Sequence, residues 1–150
     1  MMSKNPLVRV TKAILDFMFY TGIVVCATVP FIFKLAGDFY SVFKDYYFPF
    51  CVIFFFAGCC ALFILWELRC IFKTVLKEDP FVRENVKSLK RMGISSFGIA
   101  LLMLSRLLLV ITPAALVLVA VFTIAGLFSL VLSQVFDQAV TYKQENDLTI

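Results

Sequence analysis

The most unusual reactive group in this sequence is the guanidinium of Arg106, which lies inside a long apolar stretch. Counted from Gly93, it would lie roughly 20 Å along a helix, in the outer half of a bilayer. A charge there costs on the order of 3 kcal/mol or more, so it either reaches the headgroups or finds an anionic partner. Two interpretations stay open. Arg106 snorkels to the outer headgroups, or it pairs with Asp38, Asp45 or an acidic ligand entering from outside.

Other side chains that commonly carry catalysis are scarce. The sequence has no histidine, no glycine-rich phosphate loop and no pair of carboxylates at a common depth. Its cysteines form no C-x-x-C pair, and we interpret them as small apolar residues that pack in lipid, with a reactive thiol as the alternative. They are Cys26, Cys51, Cys59, Cys60 and Cys70. We therefore expect no enzyme, cofactor or metal site, and a lipid-modifying reaction at Arg106 is the weakest alternative.

Four hydrophobic runs must position these side chains. The chain has 150 residues and is 62% hydrophobic, with a mean hydropathy of +0.97, which is too much apolar surface for one soluble core of this size. Each run has the roughly 20 residues that cross a bilayer. We expect an all-α integral membrane protein with a single four-helix transmembrane domain. The spans are expected at about 13–33, 48–66, 93–111 and 114–136, and the first is interpreted as a retained span rather than a signal peptide.

The longest polar segment, KEDPFVRENVKSLKRM at residues 77–92, separates the second and third runs. Asp79 followed by Pro80 is typical of an N-cap and a first helical residue. We therefore expect an amphipathic helix over residues 80–92, with basic side chains opposite an apolar face.

Asn85 interrupts this apolar face between Phe81 and Leu89. An amide at that position indicates a hydrogen bond to protein, which could be the ends of the chain's own spans. Two interpretations of the amphipathic helix stay open. It lies on anionic lipid headgroups, or it is a docking surface for a partner protein.

The connecting segments also carry signals. Residues 34–47 place aromatic and charged side chains on opposite helical faces, as in a helix at the headgroup level. Pro30 could kink or stop the first span. Thr112 and Pro113 predict a tight turn from which the fourth span starts. Residues 137–150 are expected to form a polar tail.

Lysine and arginine placement predicts the orientation of the chain. Eleven of these residues would lie on one side of the membrane and only Lys34 and Lys44 on the other, with Arg106 inside a span. The positive-inside rule then puts both termini and the amphipathic helix in the cytoplasm, and residues 34–47 outside. We expect a multi-pass protein of the bacterial cytoplasmic membrane in contact with its lipids.

Contacts between the spans are also indicated. Asp16, Glu67 and Arg69 lie near the cytoplasmic interface and could form an ion-pair cluster. Small residues at helical spacing allow close helix contact, within a monomer or in a homo-oligomer, which the sequence does not distinguish. These small residues are Ala57 and Ala61 in the second span and Ala125, Ser129 and Ser133 in the fourth.

Two segments together resemble a known family. The run D-P-F-V-x-E-N-V-x-x-L-K-R-M-G at residues 79–93 and the terminal E-N-D-L-T-I at 145–150 are similar to the bacterial YoaS-like family, domain of unknown function 2975. That resemblance implies four spans and cytoplasmic contact residues without an established activity. The candidate contacts are Pro80, Phe81, Glu84, Asn85, Leu89, Asp147, Leu148, Thr149 and Ile150.

The resemblance also implies a partner, because genes of this family commonly lie beside one for a small helix-turn-helix regulator. We therefore expect a non-enzymatic membrane sensor or regulator that acts with such a protein, without direct contact to nucleic acid. The alternative is a small transporter or a self-protection protein against a membrane-active peptide or toxic compound. Proton-coupled export is disfavoured, since the spans contain only the shallow carboxylate of Asp16.

Overall fold

The computed structural model describes residues 5–149, which are helical apart from short connections. The elements are α1 (Pro6–Phe39), α2 (Ser41–Asp45), α3 (Tyr47–Leu76), α4 (Arg83–Leu109) and α5 (Pro113–Leu148). Four of them, α1, α3, α4 and α5, are long and apolar enough to cross a membrane. The expectation of an all-α protein with four potential spans is confirmed.

The four long helices pack in chain order. α1 packs against α3, α3 against α4, and α4 against α5, whereas α1 and α5 do not pack against each other. We call the end where α1 begins and α5 ends the polar end, and the opposite end, with α2 and residues 110–112, the turn end. The arrangement therefore leaves an opening between α1 and α5.

α4 and α5 approach closely because glycines face each other. A Cβ on Gly93 would lie 2.8 Å from the side chain of Leu130, and a Cβ on Gly126 would lie 3.1 Å from the carbonyl oxygen of Gly93. Next to them, Ser129 donates to the carbonyl of Leu89 at 2.7 Å. Small residues here serve a contact within the chain, as close helix packing requires.

The expected amphipathic helix is not a separate element. α4 begins at Arg83, with Val82 as its N-cap, so the expected start at Pro80 with an Asp79 cap is wrong. The carboxylate of Asp79 instead accepts from Lys143 at 2.6 Å. The helix continues through Gly93 into the third span, because one helical glycine costs only about 1 kcal/mol and this one lets α5 approach.

The structure adds detail at Pro30 and at the polar tail. Of the two possibilities for Pro30, a kink or a stop, the stop is excluded because α1 continues to Phe39. The polar tail is a helical continuation of α5 up to Leu148; with 36 residues, α5 is roughly 54 Å long and exceeds a 30 Å hydrocarbon core. The Thr112 turn is confirmed, since the Thr112 side chain caps α5 and Pro113 is its first residue.

Candidate functional site

At the polar end, the first of the two segments that carry the family resemblance packs against the part of α5 that leads into the second. Arg83, the first residue of α4, forms an ion pair with Asp137 of α5 and also donates to Thr141 Oγ1 at 3.3 Å and Gln144 Oε1 at 3.4 Å. Lys143 pairs with Asp79. The last turns of α5 are therefore held against the start of α4.

A cavity of about 400 Å³, which we call the tail groove, lies between these segments. It combines one exposed aromatic ring with charges of both signs. Phe81 is 43% exposed and its ring centroid lies 5.3 Å from that of Phe136. The lining residues are Phe81, Val82, Arg83, Glu84, Val140, Lys143, Gln144 and Asp147.

Two candidate contact residues lie inside the chain instead. The Asn85 amide is 2% exposed and donates to Thr74 Oγ1 and to the carbonyl of Pro80, both at 2.6 Å. Leu89 packs in a buried cluster with Ile71. The inference that Asn85 bonds to protein is confirmed, and the protein is its own chain. Asn85 and Leu89 can shape the tail groove but cannot touch a partner.

Most of the remaining candidates lie on the surface, whereas Pro80 is half-buried. Glu84 and Asp147 are exposed, and Leu148 is 86% exposed beyond the tail groove. Thr149 is exposed at the end of α5, and Ile150 lies outside the described residues. Of the two motifs, Phe81, Glu84 and Asp147 therefore share one surface.

The expected ion-pair cluster near the polar end is divided into two parts. Asp16 of α1 pairs with Arg69 of α3 at 2.5 Å. Glu67 of α3, whose side chain is 5% exposed, pairs with Arg91 of α4 at 3.2 Å. Each ion pair joins two neighbouring helices, so both ion pairs help to hold the helices together.

Arg106 lies in the last turn of α4, where a cation complements the helix dipole. Its Nη1 donates to Thr112 Oγ1 at 2.6 Å, and its guanidinium carbon lies 5.3 Å from the ring centroid of Phe50 and 5.9 Å from that of Phe54. Nε is buried without a hydrogen-bond partner. Within residues 5–149, Arg106 forms no ion pair.

The expected pairing of Arg106 with Asp38 or Asp45 is therefore not formed. Both carboxylates are exposed. Phe39 and Tyr40 beside them are exposed as well, whereas Phe43 packs against the long helices. The ring of Phe43 packs against those of Phe33 and Phe50 at 5.7 and 5.9 Å. Asp38 instead lines a cavity that Lys34 and Lys44 also line.

An apolar cavity of about 320 Å³ lies in the opening between α1 and α5, and we call it the lipid-side groove. Small residues of α1 and α3 form its floor, among them Gly22 and Gly58. Sequence reasoning missed it. The small residues are visible in the sequence, but they were interpreted as sites of close helix packing. They form a groove because α1 and α5 do not pack against each other.

The described residues offer no set of ligands for a metal. No group of three or more Cys, Asp or Glu side chains within residues 5–149 could hold an ion. The cysteines are free thiols in α1 and α3.

Comparison with known proteins identifies the family. Residues 32–150 match the family described as "Protein of unknown function (DUF2975)". No curated protein and no solved structure matches the chain. The matched range includes α2 to α5 and therefore both walls of the tail groove. The chain belongs to the DUF2975 family of proteins of unknown function.

Proposed function

We propose that this protein is a non-enzymatic membrane regulator that holds and releases a small helix-turn-helix transcription regulator at the tail groove. The observation that carries the proposal is the meeting of the two motif segments in one surface, with Phe81 and Glu84 on one wall and Asp147 on the other. In this proposal both termini and the tail groove face the cytoplasm, and the protein itself does not bind nucleic acid.

The chemistry of the tail groove supports a protein partner. An exposed aromatic ring beside charged groups is typical of the centre and rim of a protein interface. The carboxylates of Glu84 and Asp147 would repel nucleic-acid phosphates, whereas a folded protein can complement both signs of charge.

The long helices supply a route for a signal. α4 runs without interruption from Arg83, in the tail groove, to Arg106 at the turn end. Because α4 is one rigid element, a shift at the turn end would move Arg83 relative to α5. The exposed ion pairs at the polar end are each worth about 1 kcal/mol or less, so a small change could open the tail groove.

Site-specific photocrosslinking in cells tests the proposal. We expect a photoreactive residue at Phe81 or Asp147, which line the tail groove, to capture a small helix-turn-helix regulator of the kind whose genes commonly lie beside genes of this family. The matched control is Leu101, which is 67% exposed on the apolar part of α4. Equal capture from Leu101, or no capture from the tail-groove positions, would contradict the proposal.

A second candidate function is self-protection against a membrane-active peptide or toxic compound, or transport of such a compound. The observation that favours it is the lipid-side groove, which is open between α1 and α5. If this function holds, deletion of the gene raises sensitivity to such compounds while expression of the neighbouring operon stays unchanged.

A further inference from the structure

The charge of Arg106 has no counter-charge in the described chain. A guanidinium has five N–H donors, of which one is used by Thr112. The Thr112 hydroxyl accepts this bond and one from the Ala115 amide, so its own O–H is left to donate. Arg106 and Thr112 thus present unused donors and a positive charge at the turn end of an apolar bundle.

The lipid-side groove leads to this charge. Met103 lies one helical turn before Arg106 and lines the groove. Phe54 lines it as well, and its ring centroid is 5.9 Å from the Arg106 guanidinium carbon. Along α3 the lining extends from Phe54 to Leu65, which is roughly 16 Å of helix.

The size of the groove limits what can occupy it. An α-helix with its side chains is about 10–12 Å across, so a 16 Å length would need more than roughly 1,000 Å³. The groove itself holds about 320 Å³, so a helix of a partner or a second copy would lie across its open side rather than within it. An extended hydrocarbon chain is narrow enough.

We propose that the lipid-side groove and Arg106 together bind one anionic membrane lipid. One acyl chain lies in the groove, and the phosphate accepts hydrogen bonds from Arg106 and Thr112. We choose an anionic lipid because its charge is opposite to that of Arg106. An intramembrane arginine that has no carboxylate partner in the protein needs an anion that also lies in the membrane. This inference does not depend on the proposed regulator.

Native mass spectrometry of the full chain in detergent tests the proposal. With phosphatidylglycerol as probe, we expect one retained lipid per chain, and less retention of phosphatidylcholine with the same acyl chains. Arg106→Gln removes a charged donor and should weaken phosphatidylglycerol binding by about 10-fold or more. Arg106→Lys should retain part of the affinity, because the positive charge remains. Lys34→Gln, an exposed cation at the same end, should have no effect.

A second pair of variants tests the groove without changing charge. Val25 lines the groove and is 49% exposed, whereas Ile23 on the same helix is 43% exposed and does not line it. Val25→Trp should displace the acyl chain and reduce retention, and Ile23→Trp should not. Circular dichroism and elution volume check folding. Equal retention of the two lipids, or unchanged phosphatidylglycerol binding in folded Arg106→Gln or Val25→Trp, would overturn the proposal.

Discussion

Arg83, the first residue of α4, forms an ion pair with Asp137, 54 positions later on α5. Thr141 and Gln144, which follow Asp137 at helical spacing on the same face of α5, accept from the same guanidinium. One side chain thereby fixes the direction of the last turns of α5. Residues 81–84 at the start of α4 and residues 140–147 of α5 thereby become the two walls of one groove.

Removing this guanidinium should loosen the end of α5. Arg83 and Asp137 are 45% and 51% exposed, so their pair is worth about 1 kcal/mol or less, and Arg83→Gln should increase opening of the last turns up to about five-fold. Hydrogen exchange of the amides after Asp137 measures this. Arg9→Gln, on an exposed arginine of α1, is the control, and identical exchange in both variants would contradict the role of Arg83.

Asn85 should contribute to stability rather than to recognition. Asn85→Ala leaves the carbonyl of half-buried Pro80 and the hydroxyl of Thr74 without this donor, which should lower the free energy of unfolding by about 1–3 kcal/mol. Thermal unfolding in detergent should show a lower midpoint than for Gln138→Ala, a change at an exposed position. If both variants melt at the same temperature as the wild type, the Asn85 hydrogen bonds do not stabilise the connection between α3 and α4.

Gly126 of α5 and Gly98 of α4 should differ in their tolerance of a methyl group. A Cβ on Gly126 would meet the Gly93 carbonyl oxygen at 3.1 Å, so Gly126→Ala forces α4 and α5 apart and should cost about 1–3 kcal/mol. Gly98 is the matched control, since its Cβ would meet only Cys60 Sγ at 3.9 Å. Gly98→Ala should be neutral or stabilise by up to about 1 kcal/mol. Equal melting temperatures for the two variants would refute the close contact.

Glu67 should depend on its partner. Its carboxylate is 5% exposed and faces Arg91, so Arg91→Ala strands a buried charge, whereas Lys90→Ala alters only an exposed side chain. We expect Arg91→Ala to lower the free energy of unfolding by about 1–2 kcal/mol. The double variant Glu67→Gln with Arg91→Ala should regain part of this loss. A double variant no more stable than Arg91→Ala alone would argue against a coupled pair.

Hydrophobic patterning was sufficient to predict the four spans. Helix caps could be predicted from local sequence only where no residue from another part of the chain binds the capping side chain more favourably. Thr112 and Pro113 cap and start α5 as expected, because Thr112 Oγ1 can accept from the Ala115 amide and from Arg106 at the same time. Asp79 has the same type of signal, yet its carboxylate pairs with Lys143, which is 64 positions away. The residue types around a helix start do not reveal that a distant lysine will pair with the capping carboxylate.

The candidate site was only partly visible in the sequence for a similar reason. A hydrogen bond from Asn85 to protein could be inferred because a polar amide lies within an apolar helix face. Its acceptors, Thr74 and Pro80, could not be predicted because they depend on the path of residues 77–82. Asp38 and Asp45 were two of the possible partners of Arg106 and do not pair with it, and periodicity does not reveal that Phe50 lies against the guanidinium. The tail was expected to be polar, without a secondary structure assigned to it, and the structure shows that it continues α5 to Leu148.

The central claim is that the tail groove binds a small helix-turn-helix regulator. The most direct measurement is the affinity of that purified regulator for the full chain in nanodiscs, by biolayer interferometry. We expect Phe81→Asp to weaken binding at least about 10-fold, as for a buried aromatic at the centre of an interface, and Leu101→Ala to leave it unchanged. Absence of binding to the wild-type chain, or equal affinity for both variants, would contradict the claim.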